Sequence, residues 1–208
     1  STPLRLLLKH TAITKKDAAQ KMALHTLRKM IDGGLHDHAG GGFHRYSVDE
    51  KWLVPHFEKM LYDNALLVPA LVEAWQVTGD EALQDAARDT LGWMQREMRH
   101  PGGAFFSATD ADSLNPKGER EEGWFFTWTP DELEAELGKD DARVIAAAYD
   151  VKVGGNFEGR SILWRKEPID LVGARLQLPA SAIAEVARRA LPKLLSARNE
   201  RPPPLRDD

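Results

Sequence analysis

Apolar positions recur at helical spacing in three long stretches. Between Lys15 and Ile31, the residues Ala19, Ala23, Leu27, Met30 and Ile31 share one face, and Gly33-Gly34 follows as a stop. A second stretch starts at Pro55, a favourable first helical position, and runs to about Thr78, where Gly79 ends it. Pro69 inside it predicts a kink. A third runs from about Asp80 to Arg99 with Leu83, Ala87, Thr90, Leu91, Met94 and Met98 as its buried stripe, closed by Pro101-Gly102. Shorter helices are predicted at Pro130–Leu137, Asp140–Tyr149 and Pro179–Arg198, the last bent or interrupted at Pro192. Three aromatic segments, Phe43–Ser47, Ala104–Thr109 and Trp124–Thr129, have strand-like content and are short enough to be hairpins in loops. The tail Arg201-Pro202-Pro203-Pro204 cannot continue a helix and reads as a linker or a cut end.

One pattern repeats. Gly41-Gly42-Phe43, Gly102-Gly103-Ala104-Phe105 and Gly154-Gly155-Asn156-Phe157 each place an aromatic after a glycine pair. The intervals suit one helix pair plus its loop, so the chain reads as an array of helical hairpins.

Composition narrows the picture. The chain has 208 residues, 42% apolar and 29% charged, which fits a globular domain able to bury about 70% of its unfolded surface. The net charge of -4 argues against a general nucleic-acid partner, and no apolar run reaches membrane-span length. There is no cysteine, which removes disulfides, thiol nucleophiles and thiolate metal sites. With no leader pattern visible, these features suggest a cytoplasmic protein. Opening on Ser1 rather than Met suggests a start inside a longer protein or after a removed tag.

The candidate chemistry is concentrated between Gly40 and Asp63. His36, His38, His44 and His56 lie close together, joined by Arg45, Tyr46, Asp49, Glu58, Lys59 and Asp63, beside the flexible run Gly40-Gly41-Gly42. With a helix starting at Pro55, His56, Lys59, Met60 and Asp63 would share one stripe, and the helix N-terminus would favour an anionic or hydroxyl-rich ligand. A second constellation is Asp110 and Asp112, two apart and so able to face one way, as acid/base work on a glycosidic bond requires; an ordinary capped loop reads equally well. Trp128, with Trp124, Phe125 and Phe126, is either core packing or a platform for a sugar ring. His36-Asp37-His38 is too slight a pattern for a metal site, and no cofactor motif is present.

The runs Gly40–Asp49, Trp52–Ala65, Phe106–Ser113, Glu122–Pro130 and Gly155–Arg160 resemble the spermatogenesis-associated, thioredoxin-fused family. That resemblance implies a mainly α fold: part of an (α/α)6 toroid of helical hairpins with short β-hairpins in its loops, similar to six-hairpin glycosidases and N-acylglucosamine 2-epimerases. On this reading residues 1–200 are the first half of the toroid, 201–208 a linker or truncated end, and the thioredoxin-like domain of the longer protein is absent. The site then lies in the central cavity. A carbohydrate epimerase, isomerase or glycosidase would use His56, Glu58, Asp63, Asp110 and Asp112 for chemistry. Arg45, Tyr46, His44, Lys59 and Trp128 would hold the substrate. The alternative is a non-catalytic binding or scaffold domain serving the redox domain. Expected partners are a sugar-like small molecule, the thioredoxin-like domain, and the missing half of the toroid or a symmetry mate covering the exposed edge.

Overall fold

The computed structural model describes residues 2–207. It is mainly α, and its helices pack in consecutive pairs, as an array of helical hairpins requires. The pairs are α1 (Thr2–Thr14) with α2 (Asp17–Asp32), α3 (Leu61–Thr78) with α4 (Glu81–Trp93), α5 (Pro130–Leu137) with α6 (Lys139–Ala148), and α7 (Ile169–Leu176) with α8 (Ala180–Arg198). A glycine-pair turn precedes each pair after the first, as the repeat implied. Gly41, Gly42, Gly103, Gly154 and Gly155 all have positive φ, and Phe43, Phe105 and Phe157 each form an isolated antiparallel bridge.

Local chemistry accounts for the helix ends. Asp80 caps α4 by accepting from the Ala82 N–H at 3.2 Å. Thr129 and Glu132 form a reciprocal capping box on α5, with Pro130 at its first position. Gly79, left-handed at φ 71°, ends α3. Pro69 and Pro192 sit inside α3 and α8 without terminating either. A π-helical turn, Met94–Met98, follows α4 directly.

Among the described residues seven short strands decorate the loops: β1 (Tyr46–Ser47), β2 (Pro55–His56), β3 (Lys59–Met60), β4 (Ala108–Thr109), β5 (Asp112–Leu114), β6 (Arg120–Glu122) and β7 (Arg206–Asp207). β1 pairs with β2, β5 with β6, and β3, β4 and β7 form a three-stranded antiparallel sheet. The apolar interior has one cluster beneath α1–α4, around Leu27, Phe43 and Leu71, and another beneath α5–α8, around Trp128, Leu133 and Ile183. A third, smaller cluster of Phe57, Ala111, Phe125, Phe126 and Ile162 lies in the loop layer.

Several expectations need correction. The helix expected from Pro55 begins at Leu61, because Pro55 and His56 pair with β1 and Lys59 and Met60 with β4. The single helical stripe from His56 to Asp63 therefore does not exist. Trp124–Phe126 is a 3-10 turn, not a strand. α1 and α7 were not foreseen. Residues 201–207 dock rather than trailing away: Arg201 donates to the carbonyls of Trp124, Phe125 and Thr127 at 3.3, 3.1 and 2.8 Å, and Arg206–Asp207 completes the three-stranded sheet.

Candidate functional site

The sequence-selected polar residues fall into an outer face and a buried pocket, divided by the β3–β4 ladder. Lys59 pairs in register with Thr109, and Thr109 in turn with Arg206. Cross-strand partners share a face, so Lys59, Thr109 and Arg206 form a row across three strands. Successive residues point to opposite faces, so Glu58 and Asp110, one residue further along the same register, project to the other side.

The outer face holds most of the predicted catalytic set. Tyr46 and His56 are cross-strand partners with rings stacked 5.0 Å apart at 12°. His56 Nδ1 is 3.5 Å from Glu58 Oε2, and Arg45 Nη1 donates to the same oxygen at 2.8 Å. Asp63, in the first turn of α3, has its pKa raised by burial against the opposing charge of Arg45. Asp110 is paired with Arg120, whose Nε is also 3.6 Å from Asp112. The structure thus brings Arg45, Tyr46, His56, Glu58 and Asp63 together. Asp110 and Asp112 form a neighbouring group, and the carboxylates of Glu58 and Asp110 are neutralised by arginines.

Three predicted ligand contacts are buried in other roles. His44 is 3% exposed and packed between Phe57 and Phe126; its Nδ1 donates to the Phe57 carbonyl at 2.8 Å. Burial holds its pKa down to about 3, with Lys59 acting in the same direction. Trp128 is 1% exposed within the α5–α8 core, and the Arg201 guanidinium lies 4.2 Å from its ring centroid. It is core and not a platform for a sugar. Lys59 is 1% exposed and forms part of an ion cluster that the sequence did not reveal.

That cluster is centred on Asp37. Lys59 Nζ donates to Asp37 Oδ2 at 2.6 Å and to the Gly41 carbonyl at 2.8 Å; Arg198 Nη1 donates to Asp37 Oδ1 at 2.8 Å. Burial alone would raise the Asp37 pKa, but Arg198 and Lys59 overcome it and hold the carboxyl well below its usual range. Burial lowers the Lys59 pKa even though Asp37 opposes the shift. The two cations also lie over aromatic rings: Lys59 is 5.1 Å from Trp93 and 5.2 Å from Phe126, and Arg198 is 5.0 Å from Phe125 and 5.3 Å from Phe126. Gly40 has to be glycine here, because a Cβ would stand 1.9 Å from Arg198 Nη2.

Beside this cluster is a cavity of about 230 Å³. Its walls are Lys59, Thr109 and Arg206 from the three-stranded sheet, Arg96 and Glu97 from the π-helical turn, the rings of Phe125 and Phe126, and Asn199, Pro203 and Pro204 from the end of the chain. The extra residue of a π-turn is a common device for aiming side chains at a site. Arg96 and Glu97 are ion-paired at 2.7 Å, and Arg96 also donates to the Gly40 carbonyl at 2.5 Å. A larger surface groove of about 330 Å³ between α1, α2 and the end of α3 gathers only Lys15 and Asp17 as charged groups.

His36 and His38 are buried, with ring centroids 5.0 Å apart. Burial lowers both pKa values, that of His36 to about 3. Among the described residues no group of three or more His, Asp or Glu side chains could hold a metal ion. No described helix is long and apolar enough to cross a membrane.

The sequence matches the human Spermatogenesis-associated protein 20 at 38% identity, covering 95% of this chain and 28% of that protein. The chain belongs to that family. The rat protein of the same name is 37% identical over 94% of the chain, and an uncharacterized protein of Caenorhabditis elegans is 38% identical over 65% of it. The chain spans about a quarter of the length of its Spermatogenesis-associated protein 20 relatives. No family model matches. Among solved structures, a family 76 glycoside hydrolase from a bovine Bacteroides thetaiotaomicron strain aligns at TM-score 0.47 and 18% identity, covering 90% of this chain and 33% of that one.

Proposed function

We propose that this chain forms part of a carbohydrate-active site of epimerase, isomerase or glycosidase type, with the sugar in the cavity above Lys59, Thr109 and Arg206. The observation that carries the reading is the row of these three polar side chains facing Phe125 and Phe126 in one small cavity. Hydroxyl groups suit the polar wall and C–H faces suit the rings, the usual division of labour in a small-molecule pocket. Glu97, ion-paired with Arg96, is the carboxylate on the cavity wall and can accept from a sugar hydroxyl. In the longer protein, other segments or a second copy would complete the enclosure. A cytoplasmic setting fits the cysteine-free composition.

Saturation-transfer NMR with glucose, mannose and N-acetylglucosamine tests this. A signal for at least one sugar, lost in Thr109→Val with the fold intact, is the expected outcome. No signal from any of them, or a signal lost in His56→Ala but not in Thr109→Val, would move the site off the cavity or remove it.

A second reading rests on the arginine pairing of Glu58 and Asp110. Carboxylates held in this way tie loops together, which is what a scaffold domain for a redox partner needs.

A further inference from the structure

The charges around the cavity do not balance. Lys59, Arg96 and Arg206 line it, with Arg198 directly behind Lys59 and Asp37; among the described residues Asp37, Glu97 and, through Arg96, Asp89 oppose them. Four cations face three carboxylates, leaving one surplus positive charge. Asp37 is shared by two partners, Lys59 and Arg198. Arg206 has no carboxylate partner among the described residues; its guanidinium lies over the Phe106 ring at 5.7 Å.

Hydrogen-bonding capacity is also left over. Thr109 is 6% exposed, and its Oγ1 is buried on the cavity wall with no hydrogen-bond partner. Arg198 Nε and Nη2 are likewise buried and unpartnered. An unpaired buried hydroxyl is costly, so such a group between two cations is either strain or a waiting donor. Its neighbours in the cross-strand row decide between these: Lys59 on one side and Arg206 on the other are both donors. Two cations flanking a hydroxyl donor match the oxygens of a carboxylate or phosphate. Arg206 sits on the last strand, is exposed, and can close on a ligand without disturbing the core.

We infer that the cavity takes an anionic sugar, a sugar acid or a sugar phosphate, whose charged group sits on the row Lys59–Thr109–Arg206. This rests on the carbohydrate reading for the rest of the ligand but not for its charge.

Calorimetric titration of the chain with glucose 6-phosphate, glucuronate, glucose and inorganic phosphate tests it, using wild type, Arg206→Gln and, as a control outside the cavity on α6, Arg143→Gln. Glucose 6-phosphate, glucuronate or both should bind at least tenfold more tightly than glucose. Which of the two binds more tightly identifies the anion. Arg206→Gln should lower that affinity about tenfold, and Arg143→Gln should leave it unchanged. Anionic sugars binding no more tightly than glucose, or with affinity unchanged in Arg206→Gln, would overturn the inference while leaving a neutral-sugar site standing. Inorganic phosphate binding in an Arg206-dependent manner, with no sugar compound exceeding it, would uphold the anion site and remove the carbohydrate reading. No binding by any of the four would overturn both.

Discussion

Asp37 and Arg198 are 161 residues apart in sequence and joined at 2.8 Å in the interior. The pair ties the loop after the first helical hairpin to the last turn of α8, and Lys59 makes the same carboxylate the anchor of the three-stranded sheet. The cavity floor therefore depends on one buried charge held by two others.

Asp37→Asn should destabilise the chain by about 3–5 kcal/mol, because it leaves Lys59 and Arg198 buried and uncompensated. Urea unfolding followed by circular dichroism measures this. A loss below about 1 kcal/mol would show the cluster to be hydrated or dispensable.

Gly40→Ala should have a similar effect by a different route, since the added methyl displaces Arg198 from Asp37. The double variant with Asp37→Asn should cost much less than the sum of the two, as expected for residues in one network. Additive costs would contradict the contact.

Stability should fall on acidification well before the carboxylates titrate. His36 and His44 have pKa values of about 3 in the folded state against about 6.5 unfolded, and His38 is shifted in the same direction. Between those values the unfolded chain binds protons that the folded chain refuses. Each such histidine therefore removes stability as pH falls from about 6.5 towards 3, at up to about 1.4 kcal/mol per pH unit. Asp37 acts lower: its depressed pKa adds stability above the ordinary carboxylate value, and this is lost as pH falls through its folded pKa. Denaturation midpoints measured from pH 7 to 4.5 should show the histidine slope, reduced in His36→Leu. An unchanged slope in that variant would contradict the account.

Arg201→Ala should cost about 2 kcal/mol, since it strips the donor from three carbonyls and uncovers the Trp128 ring. It should also speed amide exchange at Ser107 and Asp110, whose N–H groups donate to the Asp207 and Leu205 carbonyls of the docked tail. Thermal melting and hydrogen exchange report the two effects separately.

Much of the fold is legible in the sequence, because α2, α4, α5, α6 and α8 carry apolar stripes, α4 and α5 have capping side chains, and the glycine–aromatic turns mark the hairpin period. The start of α3 was not legible: Pro55 suits a helix N-terminus locally, yet pairing with Tyr46–Ser47 and then with Ala108–Thr109 holds residues 55–60 extended. α7 is eight residues long, too short for periodicity to identify. Sequence reasoning selected the polar set around Arg45, His56 and Glu58, which lies on the outer face, and Lys59, which lines the cavity. It missed Asp37, Arg96, Glu97, Thr109, Arg198 and Arg206 as a group, because their association depends on long-range register and on a π-turn. Asp37 between two histidines was the available signal, and as a short motif it pointed no further.

The central claim is that ligand binds on the inner side of the β3–β4 ladder. Backbone amide chemical shifts of the labelled chain, followed during titration with glucose 6-phosphate and glucuronate, test it most directly. The account predicts shifts concentrated at Lys59, Thr109, Phe125, Phe126 and Arg206, with Tyr46, His56 and Asp112 nearly still. Shifts concentrated at Tyr46, His56 and Asp112 would contradict it.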